Sequence, residues 1–147
     1  MTDTGYTMYT TPQEAEHAFY EAIRLADLSM MMSVWADDDE VVCIHPGGMR
    51  TIGHAALQTT WQQIFAAGPV AIYPMQTLVM TNLMNSVHMV IEQLAVPAAH
   101  GEETAHCYAT NIFQKGRNGW KMVLHHASHA PSDAGLLDLQ DRPDTLH

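Results

Sequence analysis

At Val70 the spacing of apolar residues changes from a helical period to a two-residue period, and it keeps that period to about Pro131. Before the change the chain reads as short amphipathic helices with one short strand. After it come four strands, at about 70–81, 84–96, 104–115 and 119–129. "NLMN" (Asn82 to Asn85), "AAHGEE" (Ala98 to Glu103) and "GRNG" (Gly116 to Gly119) are their turns, and the last is the strongest hairpin signal in the chain. Helices followed by a meander of long strands predict an α+β fold: a curved, mostly antiparallel sheet wrapped around the N-terminal helices.

The first helix has clear start grammar. In "TTPQEAEHAFYEAIRLAD", Thr11 is placed to cap, Pro12 is at the first helical position, and Glu14 completes a capping box. Ala15, Ala18, Phe19, Ala22, Ile23 and Ala26 then form one apolar stripe. Asp27 caps a short second helix, "LSMMMSVWA". "EVVCIHPGG" is a short β-branched strand stopped by Pro46, and "GHAALQTTWQQIFAAGP" is a third helix with Leu57, Trp61, Ile64 and Phe65 on one side. One domain is expected over 12–131, after a flexible stretch 1–11 and before an acidic tail 132–147.

Charge narrows the partners. Six Lys and Arg against sixteen Asp and Glu leave a net charge of −10, which repels nucleic acid and anionic membranes. Cys43 and Cys107 lie far apart in no metal spacing and read as reduced buried thiols. No leader-like N-terminus and no spanning apolar run are visible, so a cytoplasmic protein is expected. No cofactor motif is present: Gly47-Gly48 is not followed by the Lys-Ser/Thr of a phosphate loop.

"VVCIHPGG", "IGHAALQTTWQQIF" and "ATNIFQKGRNGWKMVLHHAS" resemble the cone-shaped, cystatin-like fold of nuclear transport factor 2. Within that superfamily they are most similar to SnoaL-like and ketosteroid-isomerase-like proteins, with the calcium/calmodulin-dependent protein kinase II association domain a near cousin. The resemblance runs from about Pro12 to Pro131. It implies a dimer through the sheet and a pocket between the concave face and the helices. One cone serves isomerases, cyclases, dehydratases and oligomerisation modules in this superfamily, so the resemblance implies a fold before an activity.

Strand parity sorts the candidates. Along 119–129, which runs into "VLHHASHAP", strict alternation puts Trp120, Met122, Leu124 and His126 on one face and Val123, His125 and His129 on the other. His125 and His129 share a face but stand about 13 Å apart, too far for two bonds to one zinc. No metal site is expected. The more apolar set suits the concave face, which sends His126 into the pocket beside Asn111 and His125 outward. His126 then reads equally as a catalytic group or as a satisfied core histidine. Glu92 and His126 are the proton-transfer candidates, although parity leaves the direction of Glu92 open. Trp35, His45, Trp61, Asn111 and Trp120 are candidate ligand contacts. Strand 84–96 is apolar on both faces, which favours a homodimer packed through the sheet. Two functions remain: a pocket protein for a small apolar compound, working as an isomerase, cyclase or hydratase, or a non-catalytic association domain.

Overall fold

A computed structural model describes residues 7–136 and 138–140. The elements follow in the order α1 (Pro12–Leu25), α2 (Leu28–Val34), β1 (Val42–Ile44), β2 (Arg50–Ile52), α3 (His54–Ala66), β3 (Ile72–Thr81), β4 (Asn85–Ala98), β5 (Gly101–Gly116) and β6 (Gly119–Ala130). The strands form one sheet in the order β2-β1-β6-β5-β4-β3. Only β1 with β6 is parallel among these pairings. The α+β architecture and all three helices match the expectation. The strand β2 does not: at three residues it is too short to show a period, and only its pairing with β1 defines it.

Local chemistry sets where the helices start and stop. Thr11 Oγ1 accepts from the Glu14 amide at 3.1 Å, while the Glu14 carboxylate accepts from the amide and hydroxyl of Thr10. The reciprocal arm of the capping box therefore lands one residue earlier than the motif predicts. α1 ends with Ala26 in the left-handed region, at φ 52°, and the Asp27 amide donates back to the Ala22 carbonyl. That closure brings Asp27 round to cap α2 through the Met30 amide. Phe19 sits at the centre of the core, with the rings of Tyr20, Trp35 and Trp61 edge-on to it at 4.9, 6.4 and 5.7 Å. Such pairs contribute about 0.5–1.5 kcal/mol each beyond area burial.

A β-bulge in β6 decides the site. Phe113 pairs with Met122 and Ile112 with Leu124, so Val123 has no partner across the ladder. One extra residue reverses the alternation downstream of it. Trp120 and Met122 point into the core, and after the bulge it is His125 and Ala127 that do so, while His126 is exposed. The expected orientation of the two histidines is thus overturned: His125 is 3 % exposed and His126 lies on the convex face.

The N-terminal stretch is held from Thr7 onward. Tyr9 is buried and bridges Gly119, and its hydroxyl lies 2.8 Å from Ser33 Oγ. Only residues 1–6 of the expected flexible stretch lie outside the described residues. In the expected acidic tail, Ala134 is buried, while residues 137 and 141–147 lie outside the described residues. Gly119 is where the N-terminal contact is tightest. It has φ +86°, and a Cβ there would sit 2.5 Å from the Tyr9 carbonyl oxygen. Gly119→Ala combines left-handed strain with a backbone collision, and should lower stability by about 3 kcal/mol in urea unfolding. A loss under about 0.5 kcal/mol would mean that the Tyr9 segment swings away freely.

Candidate functional site

The ladder places four inward residues in one row. His88 on β4 pairs with Asn111 on β5, Asn111 with His125 on β6, and His125 with Cys43 on β1. Glu92 stands four residues further along β4 on the same buried face, about 13 Å by strand rise. From above, α1 adds Glu16 and Tyr20, which are four residues apart and so share a side of the helix. The result is a polar cluster sealed inside an apolar shell: Tyr20, His88 and Asn111 have no exposed surface, and Glu92 has 3 %.

Asn111 organises it. Its Nδ2 donates to Glu16 Oε2 and to the Tyr20 hydroxyl, each at 3.0 Å. Its Oδ1 lies 2.6 Å from His125 Nδ1, and a carbonyl oxygen needs a donor there. His125 is therefore the Nδ1–H tautomer, with a lone pair on Nε2. Tyr20 passes the chain on, donating to Glu92 Oε2 at 2.8 Å. His125 Nε2 stands 3.9 Å from the same carboxyl oxygen. On the far side, His88 Nε2 contacts Ser86 Oγ at 2.9 Å. His88 Nδ1 is 3.0 Å from Glu16 Oε2 without hydrogen-bond geometry.

Burial sets the protonation states. It pushes the Glu92 carboxyl up to about 7, against the Tyr20 hydrogen bond, and the nearby Glu16 adds to the rise. It pushes His125 down to about 3, helped by His45 and His126, so the ring is neutral at ordinary pH. The Tyr20 phenol is held well above its usual range by burial first and then by Glu92. Cys43 is pushed up to about 12 by burial, which makes it a poor nucleophile although its Sγ lies 3.5 Å from His45 Nε2. A neutral imidazole lone pair thus faces a carboxyl poised near neutrality, an arrangement that can take up and return one proton.

The other candidates fall around this centre unequally. His45 is half-buried, with its ring 4.9 Å from Trp61 and 6.1 Å from His125, so these two flank the cluster. Trp35 joins only through Phe19. Trp120 does not join: its β5 partner Lys115 is eight residues from Cys107, the partner of Glu92. That separation is about 26 Å along a strand. Glu16, Tyr20 and His88 were missed as site residues. The signal was available, because Glu16 and Tyr20 interleave with Phe19 and Ile23 at helical spacing, and a polar residue in an apolar stripe needs a buried partner. Among the described residues no group of three potential metal donors is gathered, and no helix is long and apolar enough to cross a membrane.

A family model described as the SnoaL-like domain matches residues 13–132. The chain belongs to the SnoaL-like family. Its structural neighbours are proteins of the NTF2-like superfamily. This SnoaL-like protein is 35% identical to a Thiobacillus denitrificans protein that carries the name of a calcium/calmodulin-dependent protein kinase type II association domain, with a TM-score of 0.76 over 85% of this chain and 99% of that one. A Streptomyces avermitilis protein named as a dehydratase of the NTF2-like family is 24% identical, with a TM-score of 0.70 over 80% of this chain and 93% of that one. That second likeness concerns the fold. F-box protein SKIP8 of Arabidopsis thaliana is 25% identical over 113 residues, 75% of this chain, and the match spans 46% of its own length.

Proposed function

We propose that this SnoaL-like protein holds a small apolar organic compound in its cone and moves a proton on it, in an isomerisation, cyclisation or hydration. Glu92 is the acid and base, Tyr20 holds its carboxyl in place and is itself held by Asn111, and His125 stands beside it as a neutral ring. The observation that carries this reading is a carboxyl lifted to about 7 inside an apolar shell, where a proton is taken up and released at neutral pH. The carboxylate removes a proton from a carbon acid and, as the carboxylic acid, returns it to a neighbouring atom. His126, on the convex face, has no part in this.

The convex face supports assembly as a homodimer through the sheet. Met80, Val87, Ile112, Leu124, Val42 and Ile52 are successive cross-strand partners, an apolar row across all six strands. Met80 is 65 % exposed and Ile52 52 %. An apolar row of this length on a solvent face is the mark of an interface. It also favours a second reading, a non-catalytic association domain, to which the name of the Thiobacillus denitrificans relative adds weight.

Two variants separate the readings. Deuterium exchange into a panel of cyclic ketones, followed by NMR, should be catalysed by the native protein and fall about a hundredfold or more in Glu92→Gln. That variant should remain dimeric. Leu124→Arg should yield monomers on size-exclusion chromatography. A native protein that exchanges nothing, with Glu92→Gln altering only stability, would establish the association reading instead.

A further inference from the structure

A cleft lies at the opposite end of β5 and β6 from Glu92, with a volume of about 370 Å³. Its walls come from α2, the β5–β6 turn and the start of α3. Met32, Trp35, Ala36 and Val123 supply apolar surface, and Lys115, Arg117 and Lys121 supply charge. Those three are half of the six lysines and arginines in a chain of net charge −10. Among the described residues none of them is ion-paired, although acids outnumber bases sixteen to six. Random placement would scatter six cations among the acids. Here three of them gather without acidic partners.

The cleft is also built. Lys121 Nζ is fixed by the Ser33 carbonyl at 2.7 Å and the Thr7 carbonyl at 2.9 Å, with the Tyr9 ring beside it. Two carbonyls orient an ammonium without cancelling its charge, and one N–H is left over. His54 opens α3 onto the same cleft, and that helix has neither a side-chain cap nor an acid in its first turn. Asp37 is the acid on the lining; its side chain is 96 % exposed, and its Oδ1 lies 3.9 Å from His54 Nδ1, away from the three cations' ion-pairing reach. The buried Trp35 Nε1 has no hydrogen-bond partner.

We propose that this cleft binds a small organic anion, a carboxylate carried on an aromatic or alkyl body. The cations meet the carboxylate, and Met32, Trp35 and Val123 cover the body. The overall charge selects against the alternatives: a polyanion such as nucleic acid or a lipid surface would meet the acidic remainder of the protein, whereas one small anion meets only the local field. The volume is at the small end of ligand pockets, in keeping with a compound of one ring or a short chain.

Calorimetric titration of the full chain with phenylacetate, phenylacetamide and acetate tests this. Phenylacetate should bind, and both the neutral amide and the bodiless acetate should bind about tenfold more weakly or worse. The Lys115→Gln, Arg117→Gln double variant alters only exposed side chains and should fold; it should lose about tenfold in phenylacetate affinity while its unfolding midpoint stays put. Equal affinity for phenylacetate and its amide, equal affinity for acetate, or no binding at millimolar concentration would each overturn the proposal. So would a double variant that binds phenylacetate as the native protein does.

Discussion

Asn111→Leu should lower the unfolding free energy by about 5 kcal/mol, a large part of what a domain of this size has to lose. The substitution nearly preserves volume, so packing is not the cause. It removes the shared partner of Glu16, Tyr20 and His125, leaving Glu16 and His125 without hydrogen bonds and Tyr20 with only its bond to Glu92, where water barely reaches. An orphaned buried donor or acceptor costs about 1–3 kcal/mol, and a charged one more. In calorimetry the melting temperature should fall by about 15 °C. A fall of under about 3 °C would show that the cluster is held by its surroundings and that Asn111 merely occupies the centre.

Stability should be nearly level between about pH 4.5 and 6.5, and Glu92→Gln should tilt it. Folded Glu92 keeps its proton up to about 7, while the unfolded chain gives it up near 4.5. Between those values the folded state binds more protons, so stability falls as pH rises, at about 1.4 kcal/mol per pH unit and about 3 kcal/mol in all. His125 acts in the opposite direction. Folded, it stays neutral down to about 3, while the unfolded ring charges below 6.5, so stability falls as pH drops. The two slopes oppose each other wherever they overlap. In Glu92→Gln only the histidine slope remains. Urea unfolding at half-unit pH steps should show the native-minus-variant difference shrinking by about 3 kcal/mol from pH 4.5 to 7. Parallel curves would mean that Glu92 is ionised in the folded protein at all these values.

Much of the architecture was legible in the residues. α1 and α2 carry their own start signals, α3 its apolar spacing, and long strands with turn residues between them leave few topologies open. Two strand features were not legible. β2 exists only because β1 lies beside it, and a three-residue segment has no period to read. The bulge at Val123 involves no glycine or proline, so nothing in "WKMVLHHAS" marks it. Yet that single unpaired residue exchanges the roles of His125 and His126.

The candidate site divides along the same line. Asn111 could be assigned inward because β5 alternates without interruption to the bulge, and strict alternation is what parity assumes. Glu92 could be nominated by its chemistry, but its raised pKa comes from burial under the helices, where it meets Tyr20 across seventy-two positions in the chain. Periodicity reports which residues share a face of one element, since it is a property of local backbone geometry. Which faces meet, and where a ladder slips by one residue, is decided by packing between distant segments. So the sequence by itself determined the cone and its elements. Only the tertiary structure decided that a row of polar groups lies buried beneath Phe19, and that the second histidine of the pair looks out to solvent.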